Sequence, residues 1–275
     1  MFKGMDLEDF NKSFKTEDDC RQYLFDLKWK ERYSCIRCGN NKFWKGRTLF
    51  HARCSKCRFD ESMTANTLFH KIQMPLLKAF SIAFHIGILK NGISTVTLGK
   101  MFSLNQKTAW LFKRKVQEAM GAVLPEEDWT IADTKFSKID SVVLTHRGEN
   151  LNSLQRVDVK IQKKKCARKK KEVTTCTPFL EKGSIERCEL LAGRYVGENK
   201  SIILYNFKHW ITGTHHHCSD KYLQGYVDEF FFKLSFCKQE KMIWHRIIEA
   251  MMRSKPYFIT RVRRERISEG SFKAC

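Results

Sequence analysis

The 275-residue sequence predicts a multidomain α+β protein, and three observations carry that expectation. Two Cys-x-x-Cys pairs lie near the start, helical periodicity runs from residue 75 to residue 120, and strand-like runs then give way to apolar helical stripes. Hydrophobic residues make up 42% of the chain, with 21 Phe and 6 Trp, so there is material for a buried core, and a disordered basic tail is excluded.

The first element is a helix after Thr16, a suitable N-cap followed by Glu17, Asp18 and Asp19, which favour the positive end of the helix dipole. Cys20, Tyr23, Leu24 and Leu27 fall on one face of it, toward the segment that follows.

That segment is the most specific in the chain. Cys35-Ile36-Arg37-Cys38 and Cys54-Ser55-Lys56-Cys57 are separated by fifteen residues, the spacing at which two thiolate knuckles close a tetrahedral four-sulfur site. The expected metal ligands are Cys35, Cys38, Cys54 and Cys57, holding structural Zn²⁺ in a zinc ribbon. Phe43–Lys45 and Thr48–Arg53, joined around Gly46 and Arg47, are the hairpin between the knuckles. Two disulfides or four free thiols are the competing reading. The chain holds eleven cysteines, an odd number, which argues against an oxidised scaffold.

Helices follow. Pro75 opens one with an apolar body from Leu76 to Leu89, Asn91-Gly92 breaks it, and two more run from Ser94 to Met101 and from Asn105 to Met120. This is the layout of a helix-turn-helix, with the third helix in the recognition position. Its candidate DNA contacts are Gln106, Lys107, Thr108, Lys113 and Arg114, while Ala109, Leu111, Phe112 and Val116 face a core.

Gly121, Pro125 and Glu126-Glu127-Asp128 mark a boundary. Strand candidates at 129–133 and 139–144 come next. From 149 to 200 the chain is polar and basic, with Lys163–Lys165 and Arg168–Lys171 close together, and reads as a nucleic-acid arm or a solvated insert. Order returns with an apolar helix over 202–211, a stripe of Tyr222, Leu223, Tyr226, Val227, Phe230, Phe231 and Leu234, and a last helix over 239–252. The expected segments are therefore 1–74, 75–124, 125–254 and a basic tail, 255–275.

Lys and Arg number 51 against 30 Asp and Glu, a net charge of +21, which points to a polyanionic partner, and double-stranded DNA leads. No apolar run of about 18 residues exists to span a bilayer and no apolar leader opens the sequence, so the expected location is the cytoplasm, or the nucleus of a eukaryote.

Two separated blocks in order then carry a family resemblance over most of the chain: a front block made of the ribbon, Met63–Phe69, Ile72–Leu76, Gly92–Val96 and Gln106–Trp110, and a C-terminal block, Asn206–Leu234. The sequence resembles the zinc-ribbon insertion-sequence transposases of the ISXO2-like family, related to the Merlin elements. The resemblance implies an RNase H-like catalytic domain bearing an Asp, Asp, and Glu or Asn triad that takes Mg²⁺ or Mn²⁺ for two-metal phosphodiester transfer, and a homo-oligomer on DNA. Ile131-Ala132-Asp133-Thr134 matches the first motif, with Thr134 in place of its glutamate, which makes Asp133 the first catalytic candidate. Asp158 and Asn199 are the further candidates, although neither sits in a matching motif. With a basic insert in the interval, the domain reads as truncated. Two functions are expected to compete: a DNA transposase that cuts and joins ends, and a catalytically inactive transposase-derived DNA-binding protein. A zinc-ribbon RNA-binding or transcription-associated protein is the third reading, which the Asn206–Leu234 block disfavours.

Overall fold

A computed structural model of the chain describes residues 4–30, 32–123, 137–144, 155–165, 172–181, 202–215, 220–237 and 239–256. Its packing groups the chain into two units: Met1–Ala83 with Trp244–Cys275, and Phe84–Ile243.

The first unit opens with two capped helices. Asp6 and Thr16 are the N-caps of α1 (Leu7–Ser13) and α2 (Glu17–Trp29), each in a reciprocal capping box with the aspartate three residues on. The sequence pattern predicts α2 but not α1, which is only seven residues long. A three-stranded antiparallel sheet follows, β1 (Phe43–Lys45), β2 (His51–Cys54) and β3 (Asp60–Ser62), in the order β1-β2-β3. The third strand goes beyond the expected hairpin. Phe43 packs against Phe25, Trp29 and Tyr33, so α2 does lie on the ribbon. Lys28 reaches across to pair with the buried Glu61 at 2.7 Å and donates to the Ser62 and Ala65 carbonyls.

Helix α3 (Leu76–Ile88) begins directly after Pro75. Its free N–H groups are met by Glu17, whose carboxylate accepts from Leu76 N at 2.9 Å and Leu77 N at 3.0 Å. A side chain from α2 therefore caps a helix 59 residues away. Glu17→Ala is expected to cost about 1–2 kcal/mol, seen as a lower urea midpoint with an unchanged slope. The C-terminal helix α8 (Ile243–Arg253) completes this unit: Trp244 packs on Phe10, Phe14, Tyr23 and Phe80, and Met251 O accepts from Leu68 N.

The second unit holds α4 (Thr95–Met101), α5 (Gln106–Val123), a second antiparallel sheet of β4 (Ser137–Leu144), β5 (Gln155–Lys165) and β6 (Glu172–Glu181), then α6 (Ile202–Trp210) and α7 (Asp220–Ser235). Ser94 caps α4 by accepting from Thr97 N, and Gly99 lies so close to Leu104 O that a Cβ would stand 3.0 Å from it. Phe207, Trp210, Ile211, Leu223, Tyr226, Val227 and Phe231 form one buried cluster between α6 and α7.

Part of the expected insert is corrected here. Residues 155–165 and 172–181 pair as two strands of this sheet, with Val157 opposite Leu180 and Ile161 opposite Cys176. The physical reason is a period of two: Val157, Val159 and Ile161 alternate with Arg156, Asp158 and Lys160, a strand pattern under a high charge density. Pro178 is accommodated because β6 is an edge strand. The first strand candidate, 129–133, lies outside the described residues, as does the tail after residue 256.

Candidate metal centre and nucleic-acid interface

The two cysteine pairs converge. The four Sγ atoms of Cys35, Cys38, Cys54 and Cys57 all lie within 4.8 Å of one another. Cys35 to Cys57 is 3.6 Å and Cys38 to Cys54 is 3.5 Å. Zn–S bonds of about 2.3 Å in a tetrahedron place sulfurs about 3.8 Å apart, so the donor set fits a zinc ion. Each pair sits on a matching knuckle. Gly39 N donates to Cys35 O and Arg58 N to Cys54 O, and both Gly39 (φ 69°) and Arg58 (φ 58°) take the left-handed conformation that closes the turn.

The thiols are electrostatically set for a dication. Burial would push Cys54 up, but the Cys57 and Lys56 backbone N–H groups and the Cys38 thiol bring it down to about 6. The Phe59 N–H lowers Cys57, yet burial and the neighbouring Cys38, Cys35 and Cys54 sulfurs outweigh it and push that thiol up to about 12. Four sulfurs this close cannot all ionise unaided, and a Zn²⁺ ion removes that conflict. Asn40 supports the site from outside, with its amide 3.6 Å from Cys54 Sγ and 2.8 Å from Ser55 Oγ.

The five candidate DNA contacts on α5 divide. Gln106 and Lys107 are exposed at its first turn, where Asn105 Oδ1 accepts from Lys107 N at 2.8 Å, and Thr108 is half-buried beside them. Lys113 and Arg114 are corrected: they are 1% and 7% exposed, and their charges are engaged inside the unit. Lys113 donates to Ile93 O at 2.8 Å and lies 3.3 Å from Glu229 of α7. Arg114 donates to Tyr222 O at 2.8 Å and lies over the Trp110, Tyr222 and Tyr226 rings. A buried cation whose donors are already bound has nothing left for a phosphate.

Sequence reasoning missed this interior network. Glu229 is 0% exposed and receives Gln117 Nε2 at 2.8 Å and Lys233 Nζ at 2.9 Å as well as the Lys113 charge. Burial would raise its carboxyl, but Lys113 and Lys233 more than reverse this and hold it ionised. Burial draws Lys113 down to about 8 against the pull of Glu229, which leaves it protonated at neutral pH. Gly225 makes the approach possible, since a Cβ there would stand 2.8 Å from Arg114 Nη1. Of the three consecutive histidines, His215 packs among Trp210 and Tyr226, and burial, followed by Lys113, lowers it to about 3. It is a neutral packing residue. His216 and His217 lie outside the described residues.

Of the catalytic candidates, Asp133 and Asn199 also lie outside the described residues. Asp158 stands on the central strand β5, in register with Ser141 on β4 and Phe179 on β6. No described helix is long and apolar enough to cross a membrane.

Residues 199–235 match the ISXO2-like transposase domain. The matched stretch spans α6 and α7 and supplies Glu229, Lys233 and all of the buried cluster around Phe207. It contains the Asn206–Leu234 block on which the resemblance rested. No curated protein and no solved structure matches the chain.

Proposed function

We propose that this chain is a transposase that binds double-stranded DNA at the terminal repeats of its element and cuts and joins the ends there. The observation that carries this reading is the transposase-domain match over residues 199–235 in a chain that also gathers four cysteines into one cluster. The zinc ribbon would be the end-recognition head, with α4 and α5 as a helix-turn-helix beside it in sequence and Gln106, Lys107 and Thr108 as its contacts. Asp133, Asp158 and Asn199 are the residues proposed to hold Mg²⁺ or Mn²⁺ in an RNase H-like domain. Such ions supply activation of water or a 3′-hydroxyl for attack on phosphorus. The net charge of +21 suits the partner, and a homo-oligomer would pair the two ends.

The test uses duplex DNA carrying the element's terminal inverted repeats, with Mg²⁺ or Mn²⁺. Nicking at the repeat ends that disappears in Asp133→Ala is expected. Binding should weaken by about 10³-fold between roughly 50 and 200 mM salt if some six phosphates are neutralised. Salt-sensitive binding with no nicking would assign the chain to inactive transposase-derived DNA binders. Nicking that persists in Asp133→Ala would remove Asp133 from the site.

A further inference from the structure

The ribbon carries a feature that its metal centre does not use. From Arg32 to Phe59 inclusive the chain has eight Lys and Arg residues and no Asp or Glu. In the middle of that stretch Trp44 is 61% exposed. Its neighbour Phe43 points the other way, into the Phe25, Trp29 and Tyr33 rings. Strand alternation separates the two, and the pairing sets Trp44 opposite Arg53 on the outer face of the sheet. Among the described residues the Trp44 ring makes no ring contact. Leu49, where the hairpin turns, is 79% exposed, and the following Phe50 takes a left-handed φ of 63°.

A single exposed apolar side chain needs no explanation. Here the side chain is an indole, the widest aromatic face available, set across from an arginine in a stretch without carboxylates. Asp60, the acid opposite Arg53 on β3, accepts from the Arg47 N–H through Oδ2 at 3.1 Å, and its Oδ1 is shielded from solvent. A flat aromatic ring flanked by cations matches the combination that binds unpaired nucleotides, with the ring stacking on a base and the cations tracking the phosphates. Duplex DNA keeps its base faces stacked inside the helix and offers such a face only at an end or an unpaired segment.

We propose that the outer face of the ribbon stacks an unpaired DNA base on Trp44, with Arg47 and Arg53 on the adjoining phosphates. This deepens the DNA-binding reading above and rests on it: it states which form of DNA the ribbon holds, namely the unpaired nucleotides exposed where an end is opened or cut.

The test compares a fluorescein-labelled oligothymidylate of about 12 nucleotides with the same strand paired to oligoadenylate, by fluorescence anisotropy at fixed salt. Zinc per chain is measured for every variant, so that loss of the ribbon is not read as loss of a contact. Trp44→Leu is expected to weaken single-strand binding by about 5- to 100-fold and duplex binding by less than about 2-fold, while Trp44→Tyr keeps most of the single-strand affinity. A zinc-loaded Trp44→Leu protein that binds the single strand as the parent does, or loses both forms equally, overturns the inference. A parent that binds duplex but not single strand also overturns it and leaves the DNA-binding reading standing. A parent that binds neither removes both.

Discussion

Glu229→Ala is expected to destabilise the second unit by about 3–5 kcal/mol, the usual cost of removing one partner from a buried ion pair. The wild-type carboxylate sits at 0% exposure between Lys113 and Lys233 and also holds the Gln117 amide. Its removal leaves Lys113, 1% exposed, with Ile93 O as its hydrogen-bond acceptor among the described residues. The uncompensated ammonium and the lost hydrogen bonds from Gln117 and Lys233 both contribute to that cost. Glu229→Gln keeps the shape and some of the hydrogen bonds but none of the charge, so it should fall between wild type and Ala. Replacing the cation instead, as Lys113→Met, leaves Lys233 to balance Glu229 and should cost less than Glu229→Ala. Urea unfolding of the four proteins checks the order. A Glu229→Ala protein within about 1 kcal/mol of wild type would show that water reaches the pair.

The same network shows what the sequence could and could not reveal. Its charge makes Lys113 a candidate DNA contact, yet it lies four residues after Ala109 and three before Val116, both wholly buried. Helical spacing therefore already set it on the buried stripe with Met120. The missing information was its counter-charge, 116 residues downstream at Glu229, which no local pattern can supply. β5 is the opposite case: its alternation of Val157, Val159 and Ile161 is local and visible, but it is set among lysines whose charge density suggests a solvated segment. The cysteine ribbon was legible because tetrahedral coordination imposes a spacing that few other structures require. The capping of α2 was equally legible, since a threonine three residues before an aspartate satisfies a reciprocal box within one turn. The Glu17 cap on α3 was not, for the same reason as Glu229: it joins residues far apart in the sequence.

Removal of the metal is the second large effect expected. The ribbon has three short strands, and its cysteines supply Cys35 and Cys54 to the buried core of the first unit. So small a sheet buries too little apolar surface to stand alone, and structural zinc contributes about 10–16 kcal/mol of apparent folding energy in comparable peptides. Chelation, or Cys54→Ser, should therefore abolish the ribbon's order while the second unit, which contains none of the four ligands, keeps its helical signal. Cys54→Ser should lower the zinc retained per chain and ease its removal by a chelator, because three thiolates and a water hold the ion more weakly than four thiolates.

The central proposal is that the four-cysteine ribbon is the DNA-reading head of a transposase. The most direct measurement is the affinity of the zinc-loaded and chelator-stripped protein for the same terminal-repeat duplex, at one salt concentration, with zinc per chain determined in both samples. The account predicts about one zinc ion per chain in the loaded protein and a loss of affinity of at least about 10-fold on stripping. Equal affinity in the two samples, or no zinc in the protein as purified, would contradict it.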